Sequence, residues 1–188
     1  VIVPIPRGNW RETVLPKARE IAGLLRQAGV CVMLDDREEY KPGWKFSEWE
    51  MRGVPLRLEI GPKDIEKSQV VLVRRDNRVK TPTLIDGLAN GVKVTLETIQ
   101  AELFDRAVAF REQHTSRVTS KDKFVELFVG RPGYVVSPWC GGESCEAKIK
   151  EETQATIRNL PLLPEPASGV CIECGEPGRT DAYFAKAY

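Results

Sequence analysis

Between Lys41 and Asp64 the sequence KPGWKFSEWEMRGVPLRLEIGPKD leaves the backbone few choices. Gly43, Gly53, Pro55 and the pair Gly61-Pro62 interrupt it, so it divides into turn, helix, turn, strand and turn. In the helical part, Phe46, Trp49 and Glu50 recur at i, i+3 and i+4 and share a face. In the strand part, Leu56, Leu58 and Ile60 alternate with Arg57 and Glu59, which turns the two charges away from the core. An aromatic ring beside a carboxylate, with an arginine on the adjoining strand, is suited to gripping an unstacked base.

The flanking segments predict a mixed sheet covered by helices, an α/β domain. Val1 to Ile5 and Val30 to Leu34 read as strands, and Val14, Leu15, Ala18, Ile21, Ala22 and Leu25 between them mark one helical face. Thr13 is placed to cap that helix, with Pro16 in its first turn and Gly29 ending it. Strand, helix, strand at this spacing implies a βαβ unit with a parallel pair and a right-handed crossover. Cys31, inside the second strand, reads as a small buried hydrophobe. Gln69 to Arg74 is a further strand, Asn77 lies at a turn, and an edge strand follows around Lys80. Arg74, Arg75, Arg78 and Lys80 surround that loop with positive charge, usually a solvated face, although beside a nucleic acid it would neutralise phosphates.

Val94 to His114 carries Leu96, Ile99, Leu103, Ala107 and Phe110 at spacings of three and four, which predicts a long amphipathic helix. His114, the only histidine, falls at its C-terminal end, where an imidazole interacts favourably with the helix dipole. Without a second histidine, a capping or solvent-facing role outweighs a catalytic one. The run TSRVTSKD then marks a boundary, giving domains 1–114 and 115–188. The second reads as a small α+β domain: helix Lys121 to Val129, strand Tyr134 to Ser137, polar helix Glu143 to Thr153, Pro-rich loop Leu160 to Gly169, and the apolar tail AYFAKAY.

Four of the five cysteines lie in that second part, as Cys140-x4-Cys145 and Cys171-x2-Cys174 with twenty-five residues between the pairs. No secretory signal opens the chain, so metal binding is a stronger reading than a disulfide framework. Thiolates in fours suit tetrahedral zinc, and Gly141, Gly142 and Gly175 supply the tight backbone that such knuckles need. A closed structural Zn2+ site is favoured over catalysis. The rival, Cys171 and Cys174 as a redox pair, lacks a thioredoxin-like strand-to-helix setting, and Glu173 between the thiols is expected to raise their pKa.

Composition narrows the partner class. A net charge of +1 means that any RNA binding comes from a local patch and not from a generally basic surface. No apolar run approaches a membrane span and no signal pattern appears, which points to a cytoplasmic protein with no membrane partner. The chain begins inside the strand-like run VIVPI, which suggests a piece of a longer protein.

Taken together, GWKFSEWEMRGVPLRLEIGPKD, AFREQHT from Ala109 to Thr115, KIKEET from Lys148 to Thr153, the four cysteines and the terminal FAKAY carry a resemblance. Across essentially its whole length the chain resembles the C-terminal part of class II prolyl-tRNA synthetases of the zinc-binding type. The resemblance implies an α/β anticodon-binding domain joined to a zinc-binding domain, with tRNA(Pro) as partner. It assigns Phe46 to stacking on an anticodon base, Glu50, Arg57 and Asp64 to base reading, and Lys80 to a further contact. It implies a homodimeric enzyme whose ATP and Mg2+ belong to an upstream catalytic domain. The three signature motifs of that domain are absent here, so this chain is expected to be inactive alone. It also implies that the Tyr188 carboxylate lies towards the active site and assists from a distance.

The residues agree with that assignment chemically. Proline anticodons end in two guanines; carboxylates such as Glu50 and Asp64 accept from guanine N1 and N2, while Arg57 and Lys80 donate to O6 and N7. From the residues alone a plainer reading stands equally well, with Glu50 and Arg57 as a surface ion pair and Phe46 simply packed. The resemblance favours base reading. Two other classes remain, a stand-alone RNA-binding accessory protein without ligase activity and a structural zinc-ribbon interaction module.

Overall fold

The computed structural model describes residues 1–130, 133–163 and 165–187, and the chain divides into two compact units, 1–105 and 106–188. In the first unit β1 (Ile2–Pro4), β2 (Leu56–Ile60), β3 (Gln69–Arg74) and β4 (Lys80–Leu84) form one sheet in that order. β1 and β2 are parallel and the other pairs antiparallel, so the sheet is mixed, as expected. One sheet face presents Leu56, Leu58, Ile60, Val70 and Leu72 to helices α1 (Trp10–Gln27) and α4 (Leu88–Gln113). Val14, Ala18, Ile21 and Leu25 of α1 and Leu88, Val92 and Ile99 of α4 close that core. The short helices α2 (Pro42–Met51) and α3 (Pro62–Glu66) flank β2 in sequence.

The expected strand at Val30 to Leu34 shrinks to one parallel bridge, Ile2 with Leu34. Ile2 donates its N–H to Met33 (2.8 Å) and accepts that of Asp35 (2.9 Å). The next β1 residue facing that side is Pro4, which has no N–H, so the ladder does not continue past Asp35. Residues 30–33 lie on the other side of the bridge and belong to no strand, and Cys31 is exposed, not buried. The helix cap also lies earlier than Thr13. Asn9 is the N-cap residue, Thr13 folds its hydroxyl back onto the Asn9 carbonyl (3.0 Å), and Pro16 lies inside the helix, past its first turn.

α4 begins at Leu88, six residues before the expected start, and its predicted stripe is only half used. Leu96 and Ile99 pack on the core, whereas Leu103 and Phe110 are exposed because the first unit's core ends at Ile99. His114 follows the helix, its Nδ1 2.7 Å from the Phe110 carbonyl and its ring stacked on Phe110 at 4.0 Å, which is a capping arrangement.

The second unit holds β5 (Thr115–Arg117), β6 (Tyr134–Trp139), β7 (Ala155–Asn159) and β8 (Thr180–Lys186), in the spatial order β5-β6-β8-β7. β5 and β6 are parallel and the rest antiparallel. Helices α5 (Lys121–Val129) and α6 (Glu143–Thr153) match the expected bounds and cover it with Phe124, Phe128 and Ile149. β5 and β7 have no counterpart in the sequence expectation, and the apolar tail forms most of β8, one of the second unit's two inner strands. Its alternation buries Ala182 and Phe184, and Phe184 meets Phe124 edge-on at 5.2 Å.

Phe184 is fully buried, so replacing it with alanine removes the ring around which this core is built. Phe184→Ala should cost about 3–5 kcal/mol, read by equilibrium denaturation followed through Trp139 emission. A cost below about 1 kcal/mol would place the centre of this core elsewhere.

Candidate nucleic-acid interface and metal centre

Register decides which groups share the sheet face opposite the core. Arg57 and Glu59 lie directly across from Val73 and Val71, which in turn face Lys80 and Pro82, while Gln69 faces Leu84. Directly opposed residues point to the same side, so Arg57, Glu59, Gln69, Lys80, Pro82 and Leu84 occupy one face. Pro82 and Leu84 are exposed there, and the β4 end of the face is open.

At its β2 end the same face is closed by α2. Lys45, Glu48 and Trp49 turn inward on a buried carboxylate, Asp35. Trp49 Nε1 donates to Asp35 Oδ2 at 2.8 Å, Arg37 donates to both oxygens at 2.9 and 2.8 Å, and Lys45 Nζ donates to the Asp35 carbonyl at 3.0 Å. Burial works against the charge of Asp35, but hydrogen bonds from Arg37 and Trp49, with Lys45 nearby, hold its pKa well below the usual carboxylate range.

With α2 held in this way, Phe46 lies over Arg57, whose guanidinium carbon is 3.9 Å from the ring centroid. Arg57 donates to Glu50 Oε1 at 2.9 Å and to Glu59 Oε1 at 3.0 Å, and Lys80 approaches the other Glu59 oxygen at 3.4 Å. Phe46, Glu50, Arg57 and Lys80 are thus brought into one chain of contacts, with Glu59 as the link between Arg57 and Lys80. The charges of β2 do turn from the core, yet Arg57 is not solvated: its side chain is 10% exposed, against 58% for Lys80. Glu59 is legible from alternation alone, being two residues beyond Arg57 and so on the same side of the strand.

Asp64 is placed differently. Its Oδ2 accepts the Gly61 N–H at 2.9 Å, capping α3, and its Oδ1 accepts from Gln69 Nε2 at 3.4 Å. It reaches the shared face only through Gln69 and touches none of the other four. The basic loop also divides: Arg74 points to the core side, bound to Asp76 and Glu102, whereas Arg75 and Arg78 are exposed. Tyr188 lies outside the described residues.

In the second unit the Sγ atoms of Cys140, Cys145, Cys171 and Cys174 all lie within 4.8 Å of one another, with Cys140 and Cys145 at 3.6 Å. Thiolates at the Zn–S length of about 2.3 Å on a tetrahedron are about 3.8 Å apart, so the cluster fits such an ion. Cys140 follows β6, Gly141 (φ +91°) turns the chain, and Cys145 sits in the first turn of α6. Cys171 to Cys174 is a turn clipped to β6 by Ile172 N–H to the Pro138 carbonyl (3.0 Å) and closed by Gly175 at φ +74°.

Burial pushes the Cys145 thiol up to about 12, with neighbouring sulfurs adding to it. Burial also acts against ionisation of Cys171, but backbone N–H groups of Cys174, Glu173 and Cys140 outweigh it and lower that thiol to about 7. Glu173 therefore does not raise the Cys171 pKa, contrary to expectation. Its carboxylate is turned aside to Lys121, and its backbone N–H favours the thiolate. The redox reading still lacks its setting, because the pair lies in a turn and not at a strand-to-helix junction.

Residues 1–98 match the family model described as "Anticodon binding domain", and residues 121–188 match that described as "Prolyl-tRNA synthetase, C-terminal". The chain belongs to the prolyl-tRNA synthetase family. A proline--tRNA ligase of Lachnospira eligens is 45% identical over 184 residues, covering 98% of this chain and 38% of that protein. Proline--tRNA ligase 2 of Clostridioides difficile is 45% identical over 190 residues, covering 100% of this chain and 39% of that protein. The chain thus spans well under half the length of these synthetases. Among the described residues, no helix is long and apolar enough to cross a membrane.

The Asp35 network makes the first unit acid-sensitive in a defined window. A carboxylate whose folded pKa is depressed contributes stability that is fully present above its unfolded value of about 3.9 and is lost as pH falls towards the folded value. The difference in unfolding free energy between wild type and Asp35→Asn should therefore be constant at neutral pH and shrink below about pH 4. A difference that stays constant down to pH 2 would detach Asp35 from this titration.

Proposed function

We propose that this chain is the tRNA-recognising, zinc-binding part of a proline–tRNA ligase and that its open sheet face reads the anticodon guanines of tRNA(Pro). The observation that carries this reading is the contact chain from Phe46 through Arg57, Glu50 and Glu59 to Lys80, on a face where Pro82 and Leu84 are left exposed. Glu50 spends Oε1 on Arg57, and its second oxygen is the acceptor for guanine N1 or N2. Lys80, the exposed donor, serves O6 or N7. Phe46 offers a base the ring face turned away from Arg57. Arg57 then acts from beneath, supporting the ring and aiming Glu50. Asp64, reached through Gln69, reads at the far end of the face, and exposed Arg75 and Arg78 meet phosphates.

On this reading the anticodon-binding domain is 1–114 and the zinc-binding domain 115–188. The whole enzyme is a cytoplasmic homodimer that attaches proline to tRNA with ATP and Mg2+ in a catalytic domain outside this chain. Tyr188 would assist that site by its carboxylate. The ion in the cysteine cluster is zinc in a closed, structural role: four sulfurs at this spacing fill a tetrahedron and leave no coordination position for a substrate.

Base reading is tested with anticodon stem-loops carrying the proline anticodon or one guanine replaced. Glu50→Gln puts an NH2 donor where guanine also donates, so the preference for guanine should fall by about 1–3 kcal/mol, the scale of one good base contact. Arg75→Ala should weaken both RNAs alike and flatten the salt dependence. An undiminished guanine preference in Glu50→Gln would return the face to a purely structural role.

Metal analysis should find one zinc per chain. Structural zinc contributes on the order of 10 kcal/mol of apparent binding free energy, so Cys145→Ser should unfold residues 106–188 while leaving 1–105 folded. Zinc-free protein with all five thiols titrating freely would rule the site out.

A further inference from the structure

The side of α2 that holds it in place is distinct from the side offered to RNA. At 3.6 residues per turn, Lys45, Glu48 and Trp49 lie together, and Phe46 and Glu50 lie about a third of a turn away. The first three converge on one residue. Trp49 donates to Asp35 Oδ2 (2.8 Å), Lys45 lies 3.5 Å from Oδ1 and donates to the backbone carbonyl, and Glu48 is joined through Arg37, which itself grips both Asp35 oxygens. Asp35 is tied in turn to β1 by its N–H to the Ile2 carbonyl at 2.9 Å. The N-cap residue makes no side-chain hydrogen bond, and on the opposite side α2 is held through Arg57, by the Phe46 stack and the Glu50 ion pair, so the Asp35 contacts are its anchor on the side away from the sheet face.

We propose that Asp35 is a positioning residue for base reading: it fixes the rotation of α2 about its own axis and so aims Phe46 and Glu50 at the open sheet face. This rests on the anticodon reading given above and adds to it a residue that touches no RNA. The two functions of α2 are divided between its sides. A rotation that broke the Asp35 contacts would carry Phe46 off the Arg57 guanidinium and withdraw the Glu50 carboxylate from its place beside it.

The test compares guanine preference, not affinity, in four variants of the zinc-loaded chain, using stem-loops with the proline anticodon or with one guanine changed to adenine. Asp35→Asn turns one acceptor into a donor facing Arg37 or Trp49, and should reduce the preference by about tenfold, the scale of one base contact. Trp49→Phe keeps an aromatic ring, smaller than the indole, and removes a single donor, and should reduce it by a smaller factor. Val14→Ala weakens the α1 core without touching this network and should leave the preference unchanged, although the protein melts earlier. Glu50→Gln reports on the reading itself. Loss of preference in Asp35→Asn, partial loss in Trp49→Phe and none in Val14→Ala establish positioning. If Glu50→Gln loses the preference while Asp35→Asn and Trp49→Phe keep it, the rotation is set elsewhere and the proposal falls, the reading surviving. If Glu50→Gln keeps it, both fall together. Equal losses in Val14→Ala and Asp35→Asn would mean general destabilisation and also overturn it. Should Asp35→Asn fail to fold, Trp49→Phe decides by the same criterion.

Discussion

A carboxylate buried beside β1 must be met by donors or it empties the fold of several kcal/mol, since removing one partner of a buried charge costs about 3–5 kcal/mol. Asp35 is met by a tryptophan, an arginine and a lysine that come from both sides of the turn leading into α2. Lys45, buried on a ten-residue helix, places its ammonium on the Asp35 carbonyl and 3.5 Å from the Asp35 carboxylate. The direction of α2, the seat of Phe46 over Arg57, and the closure of one end of the sheet face all depend on this one satisfied charge.

Arg57 repeats the pattern on a smaller scale. It is stacked under a ring and shared between two glutamates, so three charges and an aromatic side chain hold one geometry without bound RNA. Recognition surfaces prepared in this way lose less freedom on binding than loose side chains would. The plain ion-pair reading and the base-reading assignment are thus not alternatives in space: the Glu50 and Arg57 pair exists, and under the proposed reading it is what orients the acceptor.

Much of this was legible in the sequence because it rests on local periodicity. The alternation of Leu56, Leu58 and Ile60, the helical spacing through α1, the bounds of α5 and α6 and the two cysteine pairs each encode their own geometry. What could not be read depends on partners distant in sequence. Nothing around Val30 to Leu34 says that only its last residue meets β1. The tail was recognised as apolar, but its place between β6 and β7 is a matter of tertiary pairing. In the site, Glu59 was visible by alternation, whereas Asp64 as the cap of α3, and Arg74 pointing to the core side, required the register of the sheet.

The position of β8 has a consequence for synthesis. It follows every other strand of its sheet in the sequence, yet it separates β6 from β7. A ribosome adding about 5–20 residues per second makes both neighbours, both helices and all four cysteines before the strand that joins them. Until β8 emerges, Phe124, Phe128 and Ile149 have only the β5–β6 pair to cover, and a metal ion captured early would clasp two knuckles across an unfinished core. The first unit has no such dependence, because its four strands are complete by Leu84. The nascent chain therefore acquires its first unit vectorially, while the unit that carries the cysteines folds only after its last strand has left the exit tunnel.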